Sequence, residues 1–249
     1  DPSKTLVVGI SCSGNTASVV LGLQKAKEAG ALTMCISGNG DIGAAAWSDY
    51  RIRAYTEIER ENQTSAYSAS HLFLLYGAFQ AAVYMSSQRS GKSVQGQSYW
   101  DSQWQDLKQA LRGLPALFDR MNSIAHTYVN NGWHNIVVLA TGPNGGTAQE
   151  GALKICEMAW LFGASEELED FAHGRFREVD GNIPLFILSP HKNTQLKVLD
   201  LLAGCHIAKT PALIFTEETC PELTELAEDV VLMPSVKEEC LTPFLYVFP

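Results

Sequence analysis

Leu6-Val7-Val8-Gly9-Ile10-Ser11-Cys12-Ser13-Gly14-Asn15-Thr16 is the stretch that decides the fold. An apolar run ends in a hydroxyl-rich turn containing a glycine, and a helical pattern follows. The run reads as a buried strand leading into a helix. The turn sets Ser11, Ser13 and Thr16 beside the free N–H groups of a helix N-terminus, where the helix dipole favours an anion. Three hydroxyls add donors without adding charge. Such a turn can hold a phosphate without the lysine of a P-loop. The plainer reading is a Ser/Thr N-cap on an ordinary strand–helix unit, and the turn by itself leaves both open.

The pattern recurs at Leu185-Phe186-Ile187-Leu188-Ser189-Pro190-His191-Lys192-Asn193-Thr194, displaced by 178 positions. Ser11 falls on Ser189, Asn15 on Asn193 and Thr16 on Thr194. The next apolar runs, Met34-Cys35-Ile36 and Ala212-Leu213-Ile214, also coincide. Strand, turn, helix and strand in register argue for an internal duplication. The second copy has no counterpart of Ser13 or Gly14, so its turn reads as structural. The same displacement pairs the start of the second half, Asn135-Ile136-Val137-Val138-Leu139-Ala140 and its turn Thr141–Thr147, with a segment before Asp1. By that measure a first strand–helix unit and a last helix are missing. An open strand edge and exposed Phe244, Leu245 and Phe248 are then expected.

The length of 249 residues suits two subdomains. Their expected ranges are residues 1–131, including a helical bridge, and 132–249. Strands and helices alternate, which favours α/β architecture with parallel sheets flanked by helices. A helix is expected from about Thr16 to Glu28, stopping at Gly30, then a strand over Leu32–Ser37 and a short strand over Arg51–Tyr55. A long helix follows from about Gln63. Ser90–Gln97 reads as a connection, and Asp101–Asn131 is again helical with a break at Gly113 and Pro115. In the second half helices are expected over Thr147–Phe162, Asn193–Ala203 and Pro221–Ala227. No apolar run is long enough for a bilayer, and no signal peptide is visible. The net charge of −9 argues against nucleic acid as a partner. Six scattered cysteines without metal-ligand spacing read mostly as buried free thiols in a reducing cytoplasm, and no metal or cofactor is expected.

Glu150, Lys154 and Glu157 stand at i, i+4 and i+7 and share one helix face. A solvated salt-bridge stripe is the plain reading. The apolar company around them suggests instead a partly buried carboxylate shifted upward, as a general base needs. His173 follows the acidic run Glu166-Glu167-Leu168-Glu169-Asp170, where an imidazole serves as acid or base near neutral pH. Alone it would be a surface histidine. Arg175 and Arg177 read as anion ligands or as partners of Glu166, Glu167 and Glu169. Thr64 or Ser65 reads as a helix cap.

Together these pieces resemble the sugar isomerase (SIS) family, and most closely its double-SIS proteins. Those include the isomerase part of glucosamine-6-phosphate synthase and the sugar-amine 6-phosphate deglycases. Ser11-Cys12-Ser13-Gly14-Asn15-Thr16 is similar to the family's Ser-x-Ser-Gly-x-Thr phosphate loop, with Cys12 in place of a common glutamine. Glu150-Gly151-Ala152-Leu153-Lys154 followed by Glu157 resembles its Glu-Gly-Ala-Leu-Lys-x-x-Glu helix, and His173-Gly174 its His-Gly-Pro element. Arg175 stands where the family has proline. The resemblance implies two SIS-type subdomains related by duplication. Ser11, Cys12, Ser13, Thr16 and Ser65 then lie around the substrate phosphate. Glu157 moves a proton between C1 and C2, Lys154 tunes it or contacts the sugar, and His173 opens the sugar ring in a neighbouring subunit's site. A homodimer or higher homo-oligomer with shared sites follows. The implied activity is deglycation of a sugar-amine 6-phosphate, with aldose–ketose isomerisation or amino-sugar deamination as alternatives. No glutaminase motif is read in these residues, so glutamine-dependent amide transfer is not expected, and a non-catalytic sugar-phosphate sensor is the reading from a different class.

Overall fold

A computed structural model describes residues 1–38, 42–54, 69–90 and 93–249. They form two compact units, Asp1–Trp100 and Asp101–Pro249.

In the first unit β1 (Leu6–Ser11), β2 (Leu32–Ser37) and β3 (Tyr50–Arg53) form a parallel sheet in the order β1-β2-β3. The register pairs Ser11 with Ser37 and Ile36 with Ile52. Helix α1 (Ala17–Glu28) covers one face, where Leu23 and Cys35 are buried with Val7 and Val19. Gly9 is a glycine because a Cβ there would lie 2.7 Å from the Leu23 side chain. Helix α2 (Ala69–Ser90) packs on the other face over β2 and β3, where a Cβ at Gly77 would lie 3.0 Å from Ile36 and 3.2 Å from Ile52. Gly30, at φ 86°, ends α1 as expected, and the Ala31 N–H returns to the Ala26 carbonyl at 3.0 Å. The run expected to be a buried strand is buried on one face only: Val8 and Ile10 are 41% and 45% exposed.

Asp49 ties this unit together. It accepts from Lys27 Nζ, from the Thr33 N–H and from the Thr33 hydroxyl, each at 2.9 Å. The Lys27 hydrogen bond, then those of Thr33, hold its carboxyl down at about 2. A depressed carboxyl contributes stability that is present above its unfolded value and lost as pH falls through its folded value. Asp49→Asn is therefore expected to lower Tm at neutral pH. The gap from wild type should stay constant down to about pH 4 and close between there and about pH 2. Parallel Tm curves across that range would refute the assignment.

Helix α3 (Ser93–Leu111) carries the chain onward. It corrects the expected connection over Ser90–Gln97 at residues 93–97, residues 91–92 lying outside the described residues. Gly96 costs a helix about 1 kcal/mol, and the burial of Leu107 and Ala110 further along offsets it. The expected break appears as a 3₁₀ turn, Leu114–Leu117, before α4 (Phe118–Asn130).

The second unit holds β4 (Asn135–Ala140), β5 (Phe162–Glu167), β6 (Leu185–Leu188), β7 (Ala212–Thr216) and β8 (Asp229–Leu232). They form one parallel sheet in the order β5-β4-β6-β7-β8. Its helices are α5 (Asn144–Lys154), α6 (Leu168–His173), α7 (Gln195–Ala208), α8 (Pro221–Leu226) and α9 (Pro243–Tyr246). Val137, Leu139, Leu185 and Ile187 face a core shared with Phe171 of α6 and with Val198 and Leu202 of α7. On the other face Tyr128 of α4 meets Phe186 edge-on at 5.3 Å. α7 runs past the expected end at Ala203. Gly204 is no stop signal: a Cβ there would lie 2.5 Å from the Phe176 ring. Phe244 and Leu245, expected to be exposed, are buried, and only Phe248 remains half exposed. Their short helix is held by Asn144 Nδ2 donating to Thr242 Oγ1 at 2.7 Å.

The helix expected over Thr147–Phe162 is the main correction. It ends at Lys154, widens into a five-residue π turn over Ile155–Ala159, and closes at Trp160 with φ 56°. The chain then enters β5, an edge strand absent from the sequence-based reading. Among the described residues no helix is long and apolar enough to cross a membrane.

Candidate functional site

The loop after β1 is built from its own hydroxyls. Ser11 Oγ and Thr16 Oγ1 lie 2.8 Å apart, and the Gly14 N–H donates to Ser11 Oγ at 3.2 Å. Gly14 sits at φ 72°, where a side chain is strained. The loop is braced from outside by the Gly38 N–H on the Cys12 carbonyl at 2.9 Å and the Ala44 N–H on the Gly14 carbonyl at 2.8 Å. Ser11 is 6% exposed, so its hydroxyl belongs to the loop's framework. Ser13, Thr16 and the free thiol of Cys12 are exposed. Thr16 occupies the N-cap position of α1 yet makes no side-chain cap hydrogen bond. The cap reading thus loses the bond that defines it. Among the described residues no side chain accepts from the first-turn N–H groups, which is the arrangement that leaves an anion site open. Ser65 and Thr64 lie outside the described residues.

In the second unit Lys154 joins both carboxylates of its face. Its Nζ is 2.6 Å from Glu157 Oε2 and 3.4 Å from Glu150 Oε1. The Lys154 side chain is 19% exposed and that of Glu150 12%, but that of Glu157 is 43%. Of the two carboxylates, Glu150 is the mostly buried one that the apolar company led one to expect, while Glu157, on the π turn, is half exposed and faces an ammonium. Burial acts to lower the Lys154 ammonium, but the hydrogen bonds and charges of Glu157 and Glu150 outweigh it and raise it above the ordinary lysine range. A lysine held protonated between two carboxylates is a fixed positive charge beside a half-exposed carboxylate, a pairing that can move a proton and steady the anion left behind.

His173 ends α6 with its side chain 83% exposed, its Nε2 3.6 Å from Glu169. Glu169 also pairs with Lys197, whose hydrogen bond holds the carboxyl below its usual range. Glu167 caps α6 through the N–H groups of Glu169 and Asp170. Arg175 pairs with Glu166 at 3.5 Å and with Glu178 at 3.3 Å. That favours the partner reading of this arginine over the anion-ligand one. The cysteine expectation also needs correcting: Cys35 and Cys205 are buried, but Cys12, Cys156 and Cys240 are exposed. Burial pushes the Cys205 thiol up to about 12. Among the described residues no group of three His, Cys, Asp or Glu side chains could hold a metal ion.

Sequence reasoning missed two glycines that shape these elements. Gly43, at φ 62°, lies against the loop so closely that a Cβ would sit 2.3 Å from the Gly14 carbonyl oxygen. Gly163 lies against α5, a Cβ there falling 2.3 Å from the Ala152 carbonyl oxygen. Each stands in a turn or strand start whose neighbours are distant in sequence, so no local pattern marks it.

Residues 3–82 match the SIS domain family. Over 258 aligned residues the chain is 26% identical to a glutamine–fructose-6-phosphate aminotransferase (isomerizing) of Chlorobaculum tepidum, covering 99% of this chain and 39% of that protein. The chain thus spans about two fifths of the length of such relatives. Among solved structures, the C-terminal domain of glucosamine-fructose-6-phosphate aminotransferase from Francisella tularensis superposes with a TM-score of 0.80 at 19% identity. That match covers 98% of this chain and 67% of the other. Tagatose-6-phosphate ketose/aldose isomerase from Escherichia coli gives 0.70 at 18% identity over 97% and 64%. At these identities the structural likeness concerns the fold: parallel sheets flanked by helices, as the sequence led one to expect.

Proposed function

We propose, on the premise that residues 3–82 are a SIS domain, that this chain processes a phosphorylated sugar by moving a proton between C1 and C2. The observation that carries the reading is the uncapped N-terminus of α1 beneath the hydroxyl loop. It suits a phosphate held by N–H groups, Ser13 and Thr16, with Cys12 and Ser65 nearby. Glu157 takes the proton and returns it. Lys154 stabilises the charge that appears, and His173 opens the ring. The 83% exposure of the His173 side chain supports a role in a neighbouring subunit's site, in a homodimer or higher homo-oligomer. The chemistry is acid–base and calls for no cofactor. A cytoplasmic setting goes with this reading. So does an origin by duplication, supported by a second hydroxyl pair, Ser189 and Thr194, also at 2.8 Å.

In its finer form the reaction is deglycation of a sugar-amine 6-phosphate. Glu157 removes a proton from C1 to give the enaminol, with O2 protonated, and delivers it to C2 as the amine N–H proton is lost. The hydrogens leaving C1 and N thus balance those gained at C2 and O2, and the ketoamine becomes an imine at C1. Water then adds to the imine, and the C–N bond breaks to give a hexose 6-phosphate and a free amine. Isomerisation or deamination would use the same groups, and the products tell them apart. Incubation with fructoselysine 6-phosphate, glucosamine 6-phosphate and fructose 6-phosphate, followed by NMR, should show amine and hexose phosphate from the first. Turnover of fructose 6-phosphate alone would make the chain an isomerase, and binding without turnover a sensor.

Gly43→Ala tests the loop from outside it. Its Cβ would collide with Gly14 O at 2.3 Å and Asn15 Oδ1 at 2.4 Å, at φ 62°. A distorted loop is expected to lower affinity for a sugar phosphate by about tenfold, since strain of 1–3 kcal/mol accompanies such positions. Calorimetric titration reads it, and an unchanged affinity would detach Gly43 from the loop.

A further inference from the structure

We infer that the wide turn Ile155–Ala159, fastened through Cys156 to Gly163, is a positioning device that sets the Glu157 carboxylate against Lys154. The inference rests on the reading of Glu157 as the base.

π turns are rare in helices and gather at functional sites, where the surroundings must supply what the wider hydrogen-bond geometry gives up. No residue of this turn is fully buried and only Ile155 is half-buried, so core packing does little to hold it. Two sulfur contacts do. Cys156 Sγ accepts the Gly163 N–H at 3.3 Å, and the thiol donates to the Gly163 carbonyl at 3.7 Å. The anchor is firm because Gly163 passes flush against the backbone of α5, with no room for a Cβ beside the Ala152 carbonyl. Gly163 is also held in the sheet, its Cα paired with Ile136 in the β4–β5 register. The turn closes at Trp160, in the left-handed region at φ 56° and 89% exposed. A bulky residue persists there only where its surroundings over-determine the conformation. Glu157, at the centre of the turn, reaches Lys154 at 2.6 Å.

The Glu-Gly-Ala-Leu-Lys-x-x-Glu pattern leaves position 156 unspecified, so the resemblance assigns this thiol no role. Cys156 acts through Glu157: it does not need to touch substrate.

The test reads Lys154 directly. The full chain is labelled with ¹³C-lysine, the Lys154 Cε signal is assigned from Lys154→Arg, and its titration midpoint is followed by NMR. Wild type should titrate above the ordinary lysine range. Glu157→Gln sets the size of the drop when the carboxylate is lost. Cys156→Ala should drop by at least half as much, and Cys156→Ser, which keeps a donor and an acceptor, should stay near wild type. Cys156→Val, which keeps the bulk without the hydrogen bonds, should behave as alanine does and covers a poorly folded Cys156→Ala. A midpoint unmoved in both Cys156→Ala and Cys156→Val overturns the inference and leaves the base assignment standing. Full turnover in Glu157→Gln overturns the base assignment, and with it the catalytic purpose of the clip, whatever Lys154 does.

Discussion

In Glu157→Gln, turnover of a sugar 6-phosphate is expected to fall by about 10²–10⁴-fold, the usual worth of a positioned general base, while KM stays within about threefold. The amide keeps the length of the side chain and can still accept from Lys154, now at 2.6 Å from the carboxylate, so the turn and the ammonium stay where they are. What it loses is the ability to take a proton. A loss confined to kcat marks a group needed for the chemical step and not for binding. Glu157→Asp makes the complementary point: one methylene shorter, it keeps the charge but draws back from Lys154, and an intermediate rate is expected. Initial-rate measurements on the three proteins decide it. Wild-type turnover in Glu157→Gln would move the base elsewhere, and Glu150, 3.4 Å from the same ammonium, would be next to examine.

Ser13→Ala should weaken binding of a sugar phosphate by about 10–150-fold, as hydrogen bonds to a charged group contribute about 1.5–3 kcal/mol. Ser13 suits this test better than its neighbour. Ser11 is buried and bonded to Thr16 and Gly14, so its loss would loosen the loop itself. Ser13 is exposed, and within the loop its oxygen accepts only the Asn15 N–H, at 3.2 Å. Among the described residues its proton has no acceptor, and a ligand can take it. Calorimetric titration with fructose 6-phosphate and with fructose separates the phosphate contribution from that of the sugar. Equal affinity of wild type and Ser13→Ala for the phosphate ester would remove the loop from the binding site.

Much of this was legible in the residues. Leu6–Ser11 and Leu32–Ser37 are apolar runs bounded by turn residues, and they became β1 and β2. Gly30 stops α1 because the backbone there takes a conformation that glycine alone adopts easily. Gly204 and Gly96 look the same in sequence but sit inside helices, the first to admit the Phe176 ring. A glycine required by a distant neighbour cannot be told from one required by the local backbone. The end of α5 was hidden for a related reason. Ala152, Ile155, Cys156 and Ala159 continue a helical period without a Gly or Pro stop, and Trp160 is an unusual residue to end a helix. β5 is a polar edge strand, Ser165-Glu166-Glu167, which lacks the apolar alternation that reveals a strand. In the candidate site, the pairing of Glu150, Lys154 and Glu157 followed from their spacing. The exposure of Glu157 did not, because it depends on the turn.

The measurement that goes most directly to the central claim is solvent deuterium incorporation. The chain is incubated in D₂O with fructoselysine 6-phosphate and fructose 6-phosphate, and carbon-bound hydrogen at C1 and C2 is followed by NMR, with binding of each ester confirmed by calorimetry. The account predicts deuterium entering at these carbons of at least one ester, at a rate abolished in Glu157→Gln. Esters that bind to the chain and keep all their C1 and C2 protons would contradict it.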